Sequence, residues 1–363
     1  MTARILLFGA TGYTGDLTAR SLVRQGATPV LVARSAERVG ALATELGGLE
    51  TIVADVSNPS SVYDAVAPGD VLISTVGPFL RFGEPAVRAA AEKGAHYLDS
   101  TGEGPFMREV FEKWGPAAAR NGIGLLTAFG FDYVPGNLAA ALALADAGPD
   151  AVAVDVGYFP VGFQTSGGTN ASIAGMMLED GFAFRDGRLA VERAGRRRRT
   201  FDVAGRTLTG VSLPGSEHLG LPAIHPTLRE VGVFLGVPPA AARVLGASTA
   251  ISTPLRKSAA LRGLGGRAAA RLVKGSTGGP DADQRSRSRH TMVAEARSAS
   301  GAVLATVTMT GPDPYDFTAD ILAWGAIAAA TSGLLATGGL GPVEAFGLDA
   351  LAAGCAQVGL VRA

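Results

Sequence analysis

The sequence predicts an α/β fold: an N-terminal doubly wound parallel sheet, a second mixed α/β domain, and a C-terminal helical return. Three observations carry this. Short, fully apolar β-branched runs alternate with helically spaced segments over the first 130 residues. A glycine-rich turn follows the first of those runs directly. Beyond Pro135 the pattern changes to alternating, half-polar runs separated by glycine turns.

The apolar runs are "RILLFG" (4–9), "PVLVAR" (29–34), "TIVADV" (51–56), "DVLISTVG" (70–77), "AHYLDS" (95–100) and "GIGLLTAFG" (122–130). Helical spacing occupies 16–25, 36–46, 60–67, 83–94 and 105–121. Six buried strands fit two mononucleotide-binding halves with a ligand at the switch point. In the second part, 151–159 reads as a strand and 169–184 as a helix. Residues 187–215 read as antiparallel strands, 228–236 as a further strand, and 290–297 and 303–310 as two more. A glycine- and arginine-rich stretch spans 256–289, and 316–361 reads as mostly helical. The expected division is 1–135, 136–315 and 316–363, the last packing back on the first.

Composition narrows the function. Hydrophobic residues are 47% of the chain and charged ones 18%, enough to bury a large core. Zero formal net charge gives no electrostatic case for nucleic acid. One cysteine, Cys355, excludes an internal disulfide framework and a cysteine-rich metal site. The four histidines stand at 96, 218, 225 and 290 without metal-ligand spacing, so no metal is expected. The N-terminus shows no secretory pattern, and a cytoplasmic protein is expected. The stretch 321–341 is alanine-rich and broken by glycine, whereas a bilayer span needs about 20 strongly apolar residues. It reads as a buried helix.

In "GATGYTG" (9–15) the glycines are three residues apart. After a strand and before a helix this is a dinucleotide-binding turn of Rossmann type. Gly9 permits the turn, Gly12 lets a pyrophosphate approach, and Gly15 lets the helix pack on the sheet. With Gly9, Gly12 and Gly15, the residues Thr11, Tyr13 and Thr14 make up the expected cofactor cradle. At the end of the second run, Ala33-Arg34-Ser35 replaces the acidic residue that holds a ribose 2′-hydroxyl. Arg34 and Ser35 therefore argue for NADP(H), Arg34 pairing the 2′-phosphate. The bland alternative is a solvated Arg34 with dual cofactor use. Asp55 and Val56 end the third run, where Asp55 either accepts from the adenine amine or caps the next helix. Thr75, Val76, Gly77 and Pro78 are expected along the nicotinamide ribose.

The stretches "GATGYTG", "STVGPF" (74–79), "HYLDSTGE" (96–103) and "GFDYVPGN" (130–137) together resemble the saccharopine dehydrogenase-like oxidoreductases, a family that includes the mycobacterial trans-acting enoyl reductases. "SGGT" (166–169), "LPGSEHLGLPAIHP" (213–226) and "GPVEAFGLDAL" (341–351) are similar to the same branch. The resemblance implies a Rossmann domain, an inserted α/β domain and a C-terminal return. A substrate with several carboxylates would want clustered arginine clamps. The basic runs "RAGRRRRT" (193–200) and "RSRSRH" (285–290) are instead expected to be mostly solvated, with an anionic carrier or partner surface, or substrate binding, as the alternatives for the first.

Hydride transfer needs a proton source as well as a cofactor. None of the six tyrosines is followed by lysine at the fourth position, so the short-chain reductase pair is missing. The catalytic candidates are Asp99, Glu103 and Tyr133, at the carboxyl ends of the fifth and sixth runs. For Asp99 and Glu103 the alternative is a turn or cap carboxylate; for Tyr133 it is core packing. His96 stands at a strand's beginning and reads as structural. Expected at the substrate are Phe79, Asp132, Ser166, Gly167 and Thr169, the last three alternatively a simple helix cap. The expected activity is NADPH-dependent reduction of a polarised C=C, C=N or C=O bond in a small or carrier-bound acyl substrate. An enoyl reductase of lipid or polyketide synthesis is the sharper variant. The rivals are a dinucleotide-binding sensor without turnover and a lipid-associated protein. A homodimer is left open.

Overall fold

The computed structural model describes residues 3–176, 179–203, 205–236 and 278–363. The stretch 256–277 therefore lies outside the described residues.

The first sheet is parallel throughout. Its strands are β1 (Ile5–Phe8), β2 (Val30–Ala33), β3 (Thr51–Val53), β4 (Val71–Ser74), β5 (His96–Asp99), β6 (Gly124–Leu126) and β15 (Gly338–Gly339). They lie in the order β15-β6-β5-β4-β1-β2-β3. The order reverses between β1 and β4, so the two loops that leave their carboxyl ends splay apart and open a crevice. Apolar runs such as Ile5–Phe8 are buried on both faces because helices cover both.

β15 interrupts the tail, whose sequence reads as mostly helical. It comes from the tail, and pairs Gly338 with Gly124. The tail helix α12 (Pro314–Ser332) lies along α1 (Tyr13–Arg24), where Asp320 accepts from Ser21 Oγ at 2.5 Å and pairs with Arg24. It includes the first part of the membrane-like stretch and is largely buried in the fold. No helix among the described residues is long and apolar enough to cross a membrane.

The second sheet is mixed. It contains β7 (Ala153–Val161), β10 (Arg198–Val203), β11 (Arg206–Ser212), β12 (Glu230–Gly236), β13 (Arg289–Arg297), β14 (Val303–Gly311) and β16 (Val361–Arg362), in the order β10-β11-β12-β7-β13-β14-β16. β12 runs parallel to β7, and its other neighbours are antiparallel. Helix α8 (Val134–Ala147) leaves the first sheet and packs on β7, β13 and β14. Its sequence is apolar on every side, as a helix enclosed by neighbours requires.

Several expectations need correction. The stretch 169–184 is not one helix: α9 (Gly167–Met176) is followed by β8 (Phe182–Arg185), which pairs with β9 (Arg188–Val191). Alternating aromatics at 182 and 184 outweigh helical propensity there, because both bury on the sheet. The run 122–130 is a strand only over Gly124–Leu126, since Ala128 turns to positive φ. The arginines of 193–200 are not all solvated. Arg199 pairs with buried Asp155 at 2.9 Å and with Glu295, and Arg197 with Glu192 at 2.8 Å. Alternation on the strand sends these two inward, where carboxylates of other strands meet them. In 285–290, Arg285 is mostly buried and His290 fully so.

Candidate active site

The first turn leaves β1 at Gly9, whose φ is +81°. The Gly12 amide donates to the Gly9 carbonyl at 2.8 Å and closes the turn. A Cβ on Gly15 would come within 2.0 Å of that carbonyl oxygen and 2.9 Å of Thr75 Oγ1. Only glycine fits there. α1 begins with Gly12 at its N-cap and has no side-chain cap. The amides of Tyr13 and Thr14 have no protein acceptor among the described residues. These unsatisfied donors, at the positive end of a three-turn helix, fit a pyrophosphate. Thr75 is tied to β1, donating to the Phe8 carbonyl at 2.9 Å.

The adenosine end carries two arginines. Arg34 is exposed and makes no ion pair among the described residues. Arg38, one turn along α2 (Ala36–Glu45), donates to the Thr11 carbonyl at 2.8 Å. Sequence reasoning missed Arg38, although its four-residue spacing from Arg34 was a usable signal. Ser35 caps α2 by accepting from the Arg38 amide. Asp55 accepts from the Ser57 amide at 2.9 Å, which holds its carboxyl below the usual range. The next helix, α3 (Pro59–Ala65), has Asn58 at its N-cap, so Asp55 braces a turn. Val56 is half-buried beside it.

Beyond β4, Val76 and Gly77 lead to Pro78, the N-cap of the short helix α4 (Phe79–Phe82). Here Glu103 is fully engaged. It accepts from the Phe79 amide at 2.8 Å, the Leu80 amide at 3.0 Å and Ser172 Oγ at 2.6 Å. Its carboxylate supplies the cap that α4 lacks and ties α9 to it. Phe79 is buried against Phe106, with ring centroids 5.6 Å apart.

Asp99 is completely buried. Its Oδ1 accepts from the Thr101 and Ala128 amides, each at 2.9 Å, while Oδ2 has no partner. Burial pushes its carboxyl up to about 6. Asp132 differs. It is half-buried, and no hydrogen bond or ion pair to it occurs among the described residues. Desolvation alone raises its carboxyl to about 6. Its Oδ2 lies where a Cβ on Gly102 would be 2.7 Å away, so the loops after β5 and β6 meet at this carboxyl. Tyr133 is buried, its ring edge-on to Tyr158 at 5.7 Å, and burial raises its phenol. His96 is at the opposite end of β5, where it accepts from the Gly124 amide at 3.0 Å.

The second sheet's elements close over this end of the first. A Cβ on Gly104 would meet Pro214 at 2.6 Å. The Ser166 amide donates to Tyr315 Oη at 2.7 Å, and Thr169 Oγ1 lies 2.7 Å from the same atom. Ser166 Oγ also accepts from the Thr169 amide at 3.2 Å, an ordinary helix cap, and Gly167 opens α9. Tyr315 meets Tyr13 edge-on at 5.0 Å, and Tyr13 Oη donates to the Pro280 carbonyl at 2.5 Å. Arg285 bridges Tyr13 Oη and Asp316. Tyr13 is thus a joint between the glycine turn and the second unit. No group of three or more metal-ligating side chains occurs among the described residues.

A family model for the saccharopine dehydrogenase NADP-binding domain matches residues 5–124, which makes this part of the chain an NADP-binding domain. Trans-acting enoyl reductases of Mycobacterium tuberculosis and Mycobacterium ulcerans are 39% and 37% identical over 140 residues, covering 37% of this chain and 34% of theirs. A provisionally named trans-acting enoyl reductase of M. tuberculosis is 42% identical over 140 residues, 37% of this chain and 33% of its own. The matched region spans about a third of the length of these relatives. Apo saccharopine dehydrogenase (L-Glu forming) from Saccharomyces cerevisiae has the same fold, with a TM-score of 0.60, 14% identity and 99% of both chains covered.

Proposed function

We propose that this chain, whose residues 5–124 match the saccharopine dehydrogenase NADP-binding domain, is an NADPH-dependent reductase of a polarised double bond. When bound, NADPH supplies the hydride. The chain supplies everything else: the uncapped first turn of α1 holds the pyrophosphate, and Arg34 and Arg38 receive the 2′-phosphate. The cradle as a whole comprises Gly9, Thr11, Gly12, Tyr13, Thr14, Gly15, Arg34, Ser35, Asp55, Val56 and Thr75 to Pro78.

The observation that carries the reading is Asp132. It is a carboxyl at the carboxyl end of the sheet with no partner among the described residues, pushed up to about 6 by desolvation. A proton donor needs that combination of access, acidity near neutrality and freedom from other bonds. Asp99 is buried beyond reach and Glu103 is occupied three times over. We therefore assign Asp132 the proton, Tyr133 and Asp99 the support of its loop, and Glu103 the closure of α4. Ser166, Gly167 and Thr169 shape the wall contributed by the second unit.

An enoyl group on an acyl or polyketide carrier is the favoured substrate, supported by the enoyl reductase relatives. Among the described residues Arg197, Arg199 and Arg285 are spent on carboxylates of the chain and so do not offer a clamp for a polycarboxylate. The test is NADPH oxidation against panels of enoyl thioesters, imines and ketones. Turnover of an enoyl thioester is expected. NADPH binding without oxidation in any panel would favour a sensor and defeat the proposal.

A further inference from the structure

Glu217 opens α10 (Glu217–Ile224) and is completely buried. Its Oε1 makes a short hydrogen bond with Tyr158 Oη, and its Oε2 has no partner. Two glycines make the space. A Cβ on Gly136 would fall 2.0 Å from Tyr158 Oη and 2.3 Å from Oε1, and a Cβ on Gly215 would fall 2.3 Å from Oε2. Among the described residues no cation is paired with this carboxyl.

The surrounding groups are engaged elsewhere, except His218 Nε2, which has no hydrogen-bond partner among the described residues. His218 Nδ1 is bound to the Gly215 backbone. On β8 and β12, Arg185 and Glu230 pair with each other at 2.9 Å. On α13 (Pro342–Phe346), Glu344 reaches back to its own N-cap amide. From the start of α8, Asp132 adds a like charge and Tyr133 a phenol. An ionised carboxylate in this setting would be desolvated, unpaired and repelled. A neutral acid fits, and burial pushes Glu217 up to about 8.

The neutral acid has one hydrogen to place. On Oε2 it would find no acceptor; on Oε1 it meets Tyr158 Oη. The phenol's own hydrogen is then released toward the Tyr133 carbonyl, 3.4 Å away. Asn137 already donates to that carbonyl through Nδ2 at 2.9 Å, and its Nδ2 also reaches Ser216 Oγ at 2.9 Å. The turn presenting Asp132 and Tyr133 is therefore gripped from α10 and β7.

The geometry points to Glu217 as a protonated positioning residue, donating to Tyr158, which donates to the Tyr133 carbonyl and fixes the turn that carries Asp132. Loss of the Glu217 proton would reverse the phenol and release that carbonyl. The catalytic consequence rests on the reductase reading; the hydrogen-bond chain does not.

Infrared difference spectroscopy of the full chain tests it between pH 6 and 10. The carbonyl stretch of a protonated carboxyl is expected at pH 7, fading as pH rises through about 8. Glu217→Gln should abolish it, and Tyr158→Phe should move it to higher frequency. If Glu217→Gln fails to fold, the wild-type titration and the Tyr158→Phe shift still decide the matter. The proposal is overturned if no such band titrates above pH 7, or if Tyr158→Phe leaves it unmoved. With an active substrate, kcat should fall through the same pH range, and the Gln variant should lack that limb while NADPH affinity stays unchanged. An infrared band that behaves as expected in a protein without turnover supports the chain and counts only against the reductase reading.

Discussion

The Asp132 carboxylate rests against the bare face of Gly102, with Oδ2 2.7 Å from where a Cβ would stand. The two residues belong to loops that leave adjacent parallel strands, β5 and β6. Their contact sets the position of an acid that has no hydrogen bond or ion pair among the described residues.

Gly102→Ala should therefore displace Asp132 and lower kcat by roughly 10- to 100-fold, as small misplacements of reacting groups do. Asp132→Asn should cost about 10²–10⁴-fold. NADPH affinity, read by calorimetry, should change little in either variant. A Gly102→Ala enzyme with unaltered kcat would remove Asp132 from the chemistry.

Arg34→Ala and Arg38→Ala should each weaken NADPH by about 10- to 100-fold, the worth of one charged hydrogen bond. NADH binding should hardly move. Equal losses for both coenzymes would place these guanidiniums elsewhere than on the 2′-phosphate.

Gly15→Ala puts a methyl 2.0 Å from the Gly9 carbonyl, and backbone cannot step aside as a side chain can. A loss of about 1–3 kcal/mol in denaturant unfolding is expected, together with loss of coenzyme binding. Normal stability and binding would show that the turn tolerates far more movement than its packing implies.

Asp155 is buried between Arg199 at 2.9 Å and Arg297 at 2.7 Å. Asp155→Ala leaves Arg297 without its carboxylate and Arg199 with Glu295 alone, and should cost about 3–5 kcal/mol of stability. Urea unfolding measures it, and a change under about 1 kcal/mol would mean that solvent replaces the carboxylate.

Burial holds His218 and His290 near 4, well below the ordinary histidine value. The unfolded chain then binds more protons than the folded one between about pH 6.5 and 4. Their contribution is fully present above pH 6.5 and is lost as pH falls through that window. Thermal melts should show this acid instability, and His218→Gln should reduce it if it folds. Glu217 acts in the opposite sense, since its raised pKa favours the folded state at low pH and ceases to do so as pH rises toward 8.

How much of this was legible beforehand varied with the range of the forces involved. Gly9, Gly12 and Gly15 declared the dinucleotide turn because backbone conformation and close packing are local demands. Arg34 could be read from its place after a strand. For Glu103 the sequence leaves a proton donor and a cap carboxylate both open, and for Phe79 a place at the substrate, because their partners, the α4 amides and Phe106, come together only once the loops have met. Nothing local marks Glu217, whose Tyr158 partner lies 59 residues away.

The sequence by itself determined the parallel sheet, the glycine turn and the preference for a phosphorylated coenzyme, since strand burial, φ and charge are properties of short stretches. Only the tertiary structure decided which carboxyls are desolvated and which are held by groups from other elements. Protonation depends on desolvation and on neighbouring atoms, and folding alone brings those neighbours together from distant parts of the chain.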